Sequence, residues 1–318
     1  MEIILLQMGK VASTAIAEGL RGVGCEVLQA HIGAPARLTE KFELLMSGEV
    51  TDVVANRMYA DYLQELKVTF LLARQRLARS PAVPIKVITL TRDPLDWYWS
   101  HFAQNYDHYQ EQLLRFHRSR GGDPEHLDQE QVFAAVQRLM FRVLERHPGP
   151  LDDERALAAL VRAANTLDAS GVVAAQVYNF LVPLRWFDED FRPATGIDLY
   201  ECAFDPDSGY ARVAGEGLEV LVLSYEQLDR LSGVIAEFAG IDSVEVPVAN
   251  TAEQKALPFD IRRQRRQGVA KLSERLRNKL YATRYARHFG YPRPLESQKA
   301  HWYARAGSRL RRLFGSGR

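Results

Sequence analysis

Short β-branched runs, each leading through a sharp turn into a helical stretch, constrain this chain more than any other feature. The clearest is Ile85 to Thr91, a β-branched and apolar run of the sort buried in the middle of a parallel sheet. Asp93 follows as a good helix N-cap and Pro94 suits the first helical position, so a helix should begin there. Ile3 to Leu6 repeats the pattern, with a polar loop and then helix formers from Ala12 to Leu20 at helical spacing. Val220 to Leu223 is another buried-type strand, and a helix from Tyr225 to Ala239 is expected directly after it. Strands alternating with helices imply an α/β fold, a central parallel sheet with helices on both faces. Ligands in such folds gather at the carboxyl ends of the strands.

The remaining elements are weaker. Cys25 to Ala30 and Val53 to Ala55 read as short strands, and Met58 to Leu77 as a long amphipathic helix. Residues 127 to 182 read as two or three helices, broken at His147-Pro148-Gly149-Pro150 and near Gly171. A strand is expected near Ile197 to Cys202, and Gly209-Tyr210-Ala211 should turn into a polar edge hairpin. With 318 residues, 47% of them hydrophobic, the chain can bury a sizeable core. Its net charge of +1 conceals an asymmetry: residues 260 to 318 hold 17 Lys and Arg against 3 acids, and residues 1 to 259 hold 24 against 37. The expected division is an α/β domain over residues 1–259 and a basic helical C-terminal extension over 260–318, packed on the domain or trailing from it. Such a basic face is either merely solvated or a contact for a membrane surface or a polyanion. No nucleic-acid partner is expected.

Met1 to Leu6 is interrupted at once by Gln7 and Lys10, unlike a signal peptide, and no run approaches the ~20 apolar residues of a membrane span. A cytoplasmic protein is expected. Cys25 and Cys202 lie far apart with no metal-ligand spacing around them, so two reduced, buried thiols and no metal are expected.

Two loops carry the chemistry. Gln7-Met8-Gly9-Lys10-Val11-Ala12-Ser13-Thr14 joins the first strand to the first helix, so its last amides should point outward from a helix N-terminus and attract an anion. Lys10 adds a full charge, and the hydroxyls of Ser13 and Thr14 can donate to phosphate or sulfate oxygens. A nucleoside-triphosphate loop would place Gly and Lys directly before the Ser or Thr, whereas here two residues intervene. The competing reading makes Ser13 or Thr14 a plain N-cap. In the second loop, Arg92 closes the central strand and Ser100 follows eight residues later, about two helical turns on, so both can reach one anion near the strand's end. Asp93 and Asp96 suit helix capping, and Tyr98, Phe102, Tyr106 and Tyr109 at helical spacing suit the core.

The first loop resembles the 5′-phosphosulfate loop, and Arg-x-Pro with the later Ser resembles the 3′-phosphate motif, of sulfotransferases that use 3′-phosphoadenosine 5′-phosphosulfate (PAPS). Together with the runs ITLTRDPLDWYWSHFAQN, WFDEDFRPATGIDLYECAFDPDSGY, VLVLSYEQL, NTAEQK and RYARHFGY, the chain resembles bacterial sulfotransferase-like capsular polysaccharide synthesis proteins over roughly residues 1–290. Val-Ala-Ser-Thr stands where many relatives have Gly-Ser-Thr or Gly-Thr-Thr. The resemblance implies a three-layer, P-loop-like fold and sulfuryl transfer from PAPS, leaving the bisphosphate PAP, to the hydroxyl of an acceptor such as a glycan. It implies nucleotide binding by Gly9, Lys10, Val11, Ala12, Ser13, Thr14, Arg92 and Ser100, a loop around Asn250 and Lys255 closing over the nucleotide, and a place in the cytoplasm or at the inner membrane's surface.

In-line displacement at sulfur needs aligned reactants, a cation at the departing oxygen and a base for the acceptor's proton. Lys10 is the candidate cation. His31, just after the second strand, is the first candidate base, with Glu40, His101 and His108 as alternatives. The cluster from Trp186 to Phe191 lines an acceptor site or forms a packing corner. Two rival functions stand beside this one: a kinase in which Asp93 holds magnesium, and a non-catalytic interaction module of a polysaccharide-making complex.

Overall fold

A computed structural model describes residues 2–47, 52–78, 83–247 and 272–291. Five strands, β1 (Glu2–Leu6), β2 (Glu26–Ala30), β3 (Ile85–Thr91), β4 (Tyr210–Gly215) and β5 (Leu218–Ser224), form one sheet in the order β2-β1-β3-β5-β4. The first four in that order run parallel, and β4 pairs antiparallel with β5 at the edge. Consecutive strand residues face opposite sides of a sheet, and Ile3, Ile4, Leu5 and Leu6 are all fully buried, so both faces are covered at β1. The same holds from Val87 to Thr91 on β3.

The helices are α1 (Ser13–Gly22), α2 (Pro35–Met46), α3 (Asp52–Leu77), α4 (Pro94–Gln104), α5 (Tyr106–Ser119) and α6 (Gln129–Arg146). They continue with α7 (Ala156–Leu167), α8 (Val172–Trp186), α9 (Arg192–Thr195), α10 (Ser232–Ala239), α11 (Glu274–Tyr281) and α12 (Arg284–His288). A π-helical turn, Phe187–Phe191, links α8 to α9. Asp93 caps α4 as its chemistry demands, Oδ1 accepting from the amides of Leu95 (2.9 Å) and Asp96 (3.1 Å), with Pro94 opening the first turn.

Three local expectations are corrected. Val53 to Ala55 lie inside α3, where a small β-branched preference is outweighed by a 26-residue helix. Ile197 to Cys202 form no strand; Asp198 accepts from the amide of Tyr200 (2.9 Å) and opens a 3₁₀ turn, Leu199–Glu201. The helix expected from Tyr225 to Ala239 is two pieces, a 3₁₀ turn over Tyr225–Arg230 and then α10. Both cysteines are free, but only Cys25 is buried; Cys202 is half-buried.

The chain passes from β1 to β2 on one side and returns to β3 on the other side of β1. That reversal makes a topological switch point at the carboxyl ends of β1 and β3, the place where open α/β sheets bind ligands. Residues 272–291 pack against the body: Lys279 Nζ donates to the carbonyl of Glu145 at the end of α6 (3.0 Å). The division between residues 259 and 260 lies outside the described residues, as do Asn250 and Lys255. Among the described residues, no helix is long and apolar enough to cross a membrane.

Candidate functional site

The loop after β1 is bent through left-handed backbone: φ is +67° at Gly9, +57° at Lys10 and +66° at Ala12. Gly9 adopts this freely, but for Lys10 and Ala12 it costs roughly 1–2 kcal/mol each, strain that the surrounding structure must hold. Ala12 is the N-cap of α1, and no side chain caps the helix. Neither Ser13 nor Thr14 is the N-cap; Ser13 Oγ accepts from Gln29 Nε2 on β2 (2.9 Å). The first-turn amides of α1 thus have no intrahelical or side-chain partner of the usual kind, as suits an anion cradle. Val11 is fully buried and anchors the loop, while Lys10 and Thr14 are half-buried.

The loop after β3 meets this one directly. The Arg92 guanidinium donates through Nη1 to the carbonyl of Lys10 and stacks over the Tyr225 ring at 4.0 Å. Its Nε is buried and meets no acceptor. One turn into α4, the Trp97 indole donates to the carbonyl of Gly9 (2.9 Å). Ser100 is half-buried on the same helix and makes no hydrogen bond with Arg92. The loops that carry Lys10 and Arg92 therefore meet at the sheet's switch point.

Residues far along the sequence hold the end of β3. The Tyr285 hydroxyl accepts from the Arg92 amide (3.0 Å) and donates to the Arg92 carbonyl (2.8 Å). Tyr291 donates to Glu226 Oε2 (2.8 Å) and accepts from Thr91 Oγ1 (3.1 Å), while Glu226 Oε1 accepts from the Asp93 amide (2.7 Å). Asp93 Oδ2 accepts from the Tyr281 hydroxyl (3.1 Å). Burial first, then the charges of Asp96 and Glu226, push the Asp93 carboxyl up to about 7. Both oxygens of this carboxyl are engaged, Oδ1 by the α4 amides and Oδ2 by the Tyr281 hydroxyl, which favours the capping role over the magnesium-holding one. Among the described residues, no group of His, Cys, Asp and Glu is arranged to hold a metal ion.

His31 lies beside the first loop, its ring 3.7 Å from where a Cβ on Gly9 would stand. Its Nδ1 is 3.1 Å from the Gln7 carbonyl and 3.2 Å from the Gln7 side-chain amide. A carbonyl only accepts, which puts the proton on Nδ1 and leaves the lone pair on Nε2; turning the Gln7 amide so that its oxygen faces the same proton completes the set. The residue is solvent-exposed although protein surrounds it closely enough to desolvate its ring. Desolvation and the charges of Lys10 and Lys41 hold its pKa below the ordinary histidine value, against the opposing pull of the Gln7 carbonyl and Asp61.

The main chain around His31 is fixed from three sides. Trp186 Nε1 donates to the His31 carbonyl (3.0 Å), Thr69 Oγ1 to the Gly33 carbonyl (3.0 Å), and the His31 amide to Glu65, which also accepts from Lys41 Nζ (2.6 Å). The alternative bases are placed otherwise. His101 has Nε2 against Asn105 Nδ2 (3.0 Å) and Nδ1 against the Tyr109 hydroxyl (2.9 Å), stacks on Trp97, and is pushed down to about 3 by desolvation and then Lys10. His108 is exposed on α5 and faces Gln112 Nε2 (2.9 Å), and Glu40 pairs with Arg37.

Tyr98, Phe102, Tyr106 and Tyr109 are buried core residues. The cluster from Trp186 to Phe191 is a packing corner for its aromatic part: Phe187 meets Phe191, Tyr285 and Phe289. Its acids are ion-paired, Asp190 and Glu189 with Arg37 and Asp188 with Arg284. The parts played by Trp97, Tyr285, Tyr291 and Glu226 were not legible from the sequence. Only the indole nitrogens and hydroxyls of the buried aromatics, which need partners, hinted at them. One surface cavity is lined by Asp107, Gln110 and Glu111, and another by Trp186, Glu189 and Asp190 of that cluster together with Arg37, Tyr178 and Arg185.

No family model, curated protein or solved structure matches the chain.

Proposed function

We propose that the protein is a PAPS-dependent sulfotransferase of three-layer, P-loop-like architecture, acting on a hydroxyl of a glycan or smaller alcohol. The observation that carries this reading is the contact between the two loops, the Arg92 guanidinium on the Lys10 carbonyl, at the sheet's switch point. Arg92 and the loop that carries Lys10, joined in this way, would suit the two phosphorylated ends of one adenosine bisphosphate. The residues fit such a ligand: α1 is uncapped at its N-terminus, and the buried Nε of Arg92 is a donor in need of an acceptor.

Gly9, Lys10, Val11, Ala12, Ser13 and Thr14 would enclose the 5′-phosphosulfate with main-chain amides and hydroxyls. Arg92 would hold the 3′-phosphate with Ser100. PAPS supplies an activated sulfuryl group on a phosphate leaving group. Lys10 and the positive end of α1 neutralise charge on the oxygen that departs with the bisphosphate. His31 Nε2 takes the proton from the acceptor hydroxyl as its oxygen bonds to sulfur. Trp186, Thr69 and Glu65 keep the histidine in place.

The test is transfer of labelled sulfate from PAPS to a panel of glycans and small alcohols. Wild type should turn over, Lys10→Ala should lose most of the rate, and His31→Ala should lose rate while still binding PAP. Binding of PAP with no turnover on any acceptor would instead favour the non-catalytic module.

A further inference from the structure

The outward face of α3 carries an apolar stripe that nothing in the described structure covers. Tyr59 is 56% exposed, Leu63 47%, Leu66 44%, Phe70 66% and Leu77 84%. Their spacing alternates between four and three residues, with Ala73 completing the series, which is the a/d repeat of a helix that pairs with another helix. The opposite face of α3 is already used by the body: Glu65, Val68, Thr69 and Leu72 are buried. A helix satisfied on one side and heptad-patterned on the other is built for a second helical contact. Phe42 on α2 extends the stripe through its ring contact with Tyr62 (5.9 Å), and is itself 46% exposed.

We infer that the stripe is a dimer seam, in which α3 pairs antiparallel with α3 of a second copy of this chain. The repeat is self-complementary in that direction. A two-fold axis beside Val68 sets Tyr59 against Leu77, Leu63 against Ala73 and Leu66 against Phe70 of the other copy, so every layer is apolar. An isologous contact of this kind closes on itself and needs no other surface. Antiparallel helices also oppose their dipoles favourably. Lys67, which comes near the axis, already lies 3.8 Å from Glu2 and from Glu26, which offsets its repulsion from its counterpart. The exposed apolar area amounts to roughly 500–700 Å² per copy, at or above the ~300–600 Å² of the largest patch on a typical monomer and near the ~800 Å² each partner gives to a standard interface.

Sedimentation equilibrium on the full chain tests this. Wild type should have twice the mass of the 36.1 kDa chain at micromolar concentration. Leu66→Glu with Phe70→Glu should be monomeric with an unchanged far-UV spectrum, because both side chains point away from the core. Direction is read by crosslinking in a Cys202→Ser background. Leu77→Cys should not link to itself, since its counterparts would stand ~27 Å apart at 1.5 Å per residue. A mixture of Tyr59→Cys and Leu77→Cys chains should link. A monomeric wild type, a doubly substituted chain that stays dimeric, self-linking Leu77→Cys, or binding of a monomer to anionic phospholipid vesicles would each overturn the inference.

Discussion

Tyr285→Phe separates one hydroxyl from everything else that holds the candidate site. Tyr285 is fully buried, and its ring packs on Phe187, Phe289 and Tyr291 at 5.1–6.1 Å, contacts that phenylalanine keeps. Burial raises the phenol well above its ordinary pKa, so the group stays neutral and can both donate and accept. The change deletes two hydrogen bonds at once and leaves the amide and carbonyl of Arg92 without that partner. An unsatisfied buried polar group costs ~1–3 kcal/mol, and two are left here, so a loss of about 2–6 kcal/mol is expected. Urea titration should show a lower midpoint at an unchanged slope. Tyr200→Phe is the control, because the buried Tyr200 hydroxyl has no partner and its removal should be neutral or slightly stabilising. A Tyr285→Phe protein within ~0.5 kcal/mol of wild type, or a Tyr200→Phe protein equally damaged, would refute the reasoning.

Two further outcomes are expected. The Asp93 carboxyl, raised from 3.8 to about 7, binds its proton more tightly in the folded chain, so its contribution to stability is full below pH 3.8 and is lost as pH rises to about 7. Asp93→Asn keeps an oxygen to cap α4, so it should flatten the fall in stability between pH 4 and 7; an unchanged slope by urea titration would place the titration elsewhere. Ala12→Gly removes left-handed strain of ~1–2 kcal/mol at a cost of ~0.5–1 kcal/mol in unfolded-state freedom, so the melting temperature should rise slightly, and a fall would mean that the alanine methyl is needed for packing.

What was legible in the sequence was local. The turn from β3 into α4 is dictated by a β-branched run, a capping Asp and a Pro within a few residues, and it forms as read. The first loop was legible as a loop, but not its backbone: Ala12 occupies a left-handed conformation that glycine would adopt without strain. Val53 to Ala55 misled because three residues of strand preference cannot reveal the long helix that contains them. The clamp on Arg92 was illegible for another reason. Tyr285 lies 193 residues away, and nothing local distinguishes a tyrosine that bridges a strand end from one that only fills the core. Likewise His31 is marked by its place after β2, but its tautomer depends on the carbonyl of Gln7 at the end of β1, a contact made by the sheet.

The pairing of Lys10 with Arg92 makes one direct demand. Calorimetric titration in EDTA should show PAP binding at least ~10-fold more tightly than adenosine 5′-phosphate, since the 3′-phosphate adds charge-assisted bonds worth ~1.5–3 kcal/mol, and Arg92→Ala should erase that difference. Equal affinities for the two nucleotides, or tighter binding of ATP with magnesium than of PAP, would contradict the account.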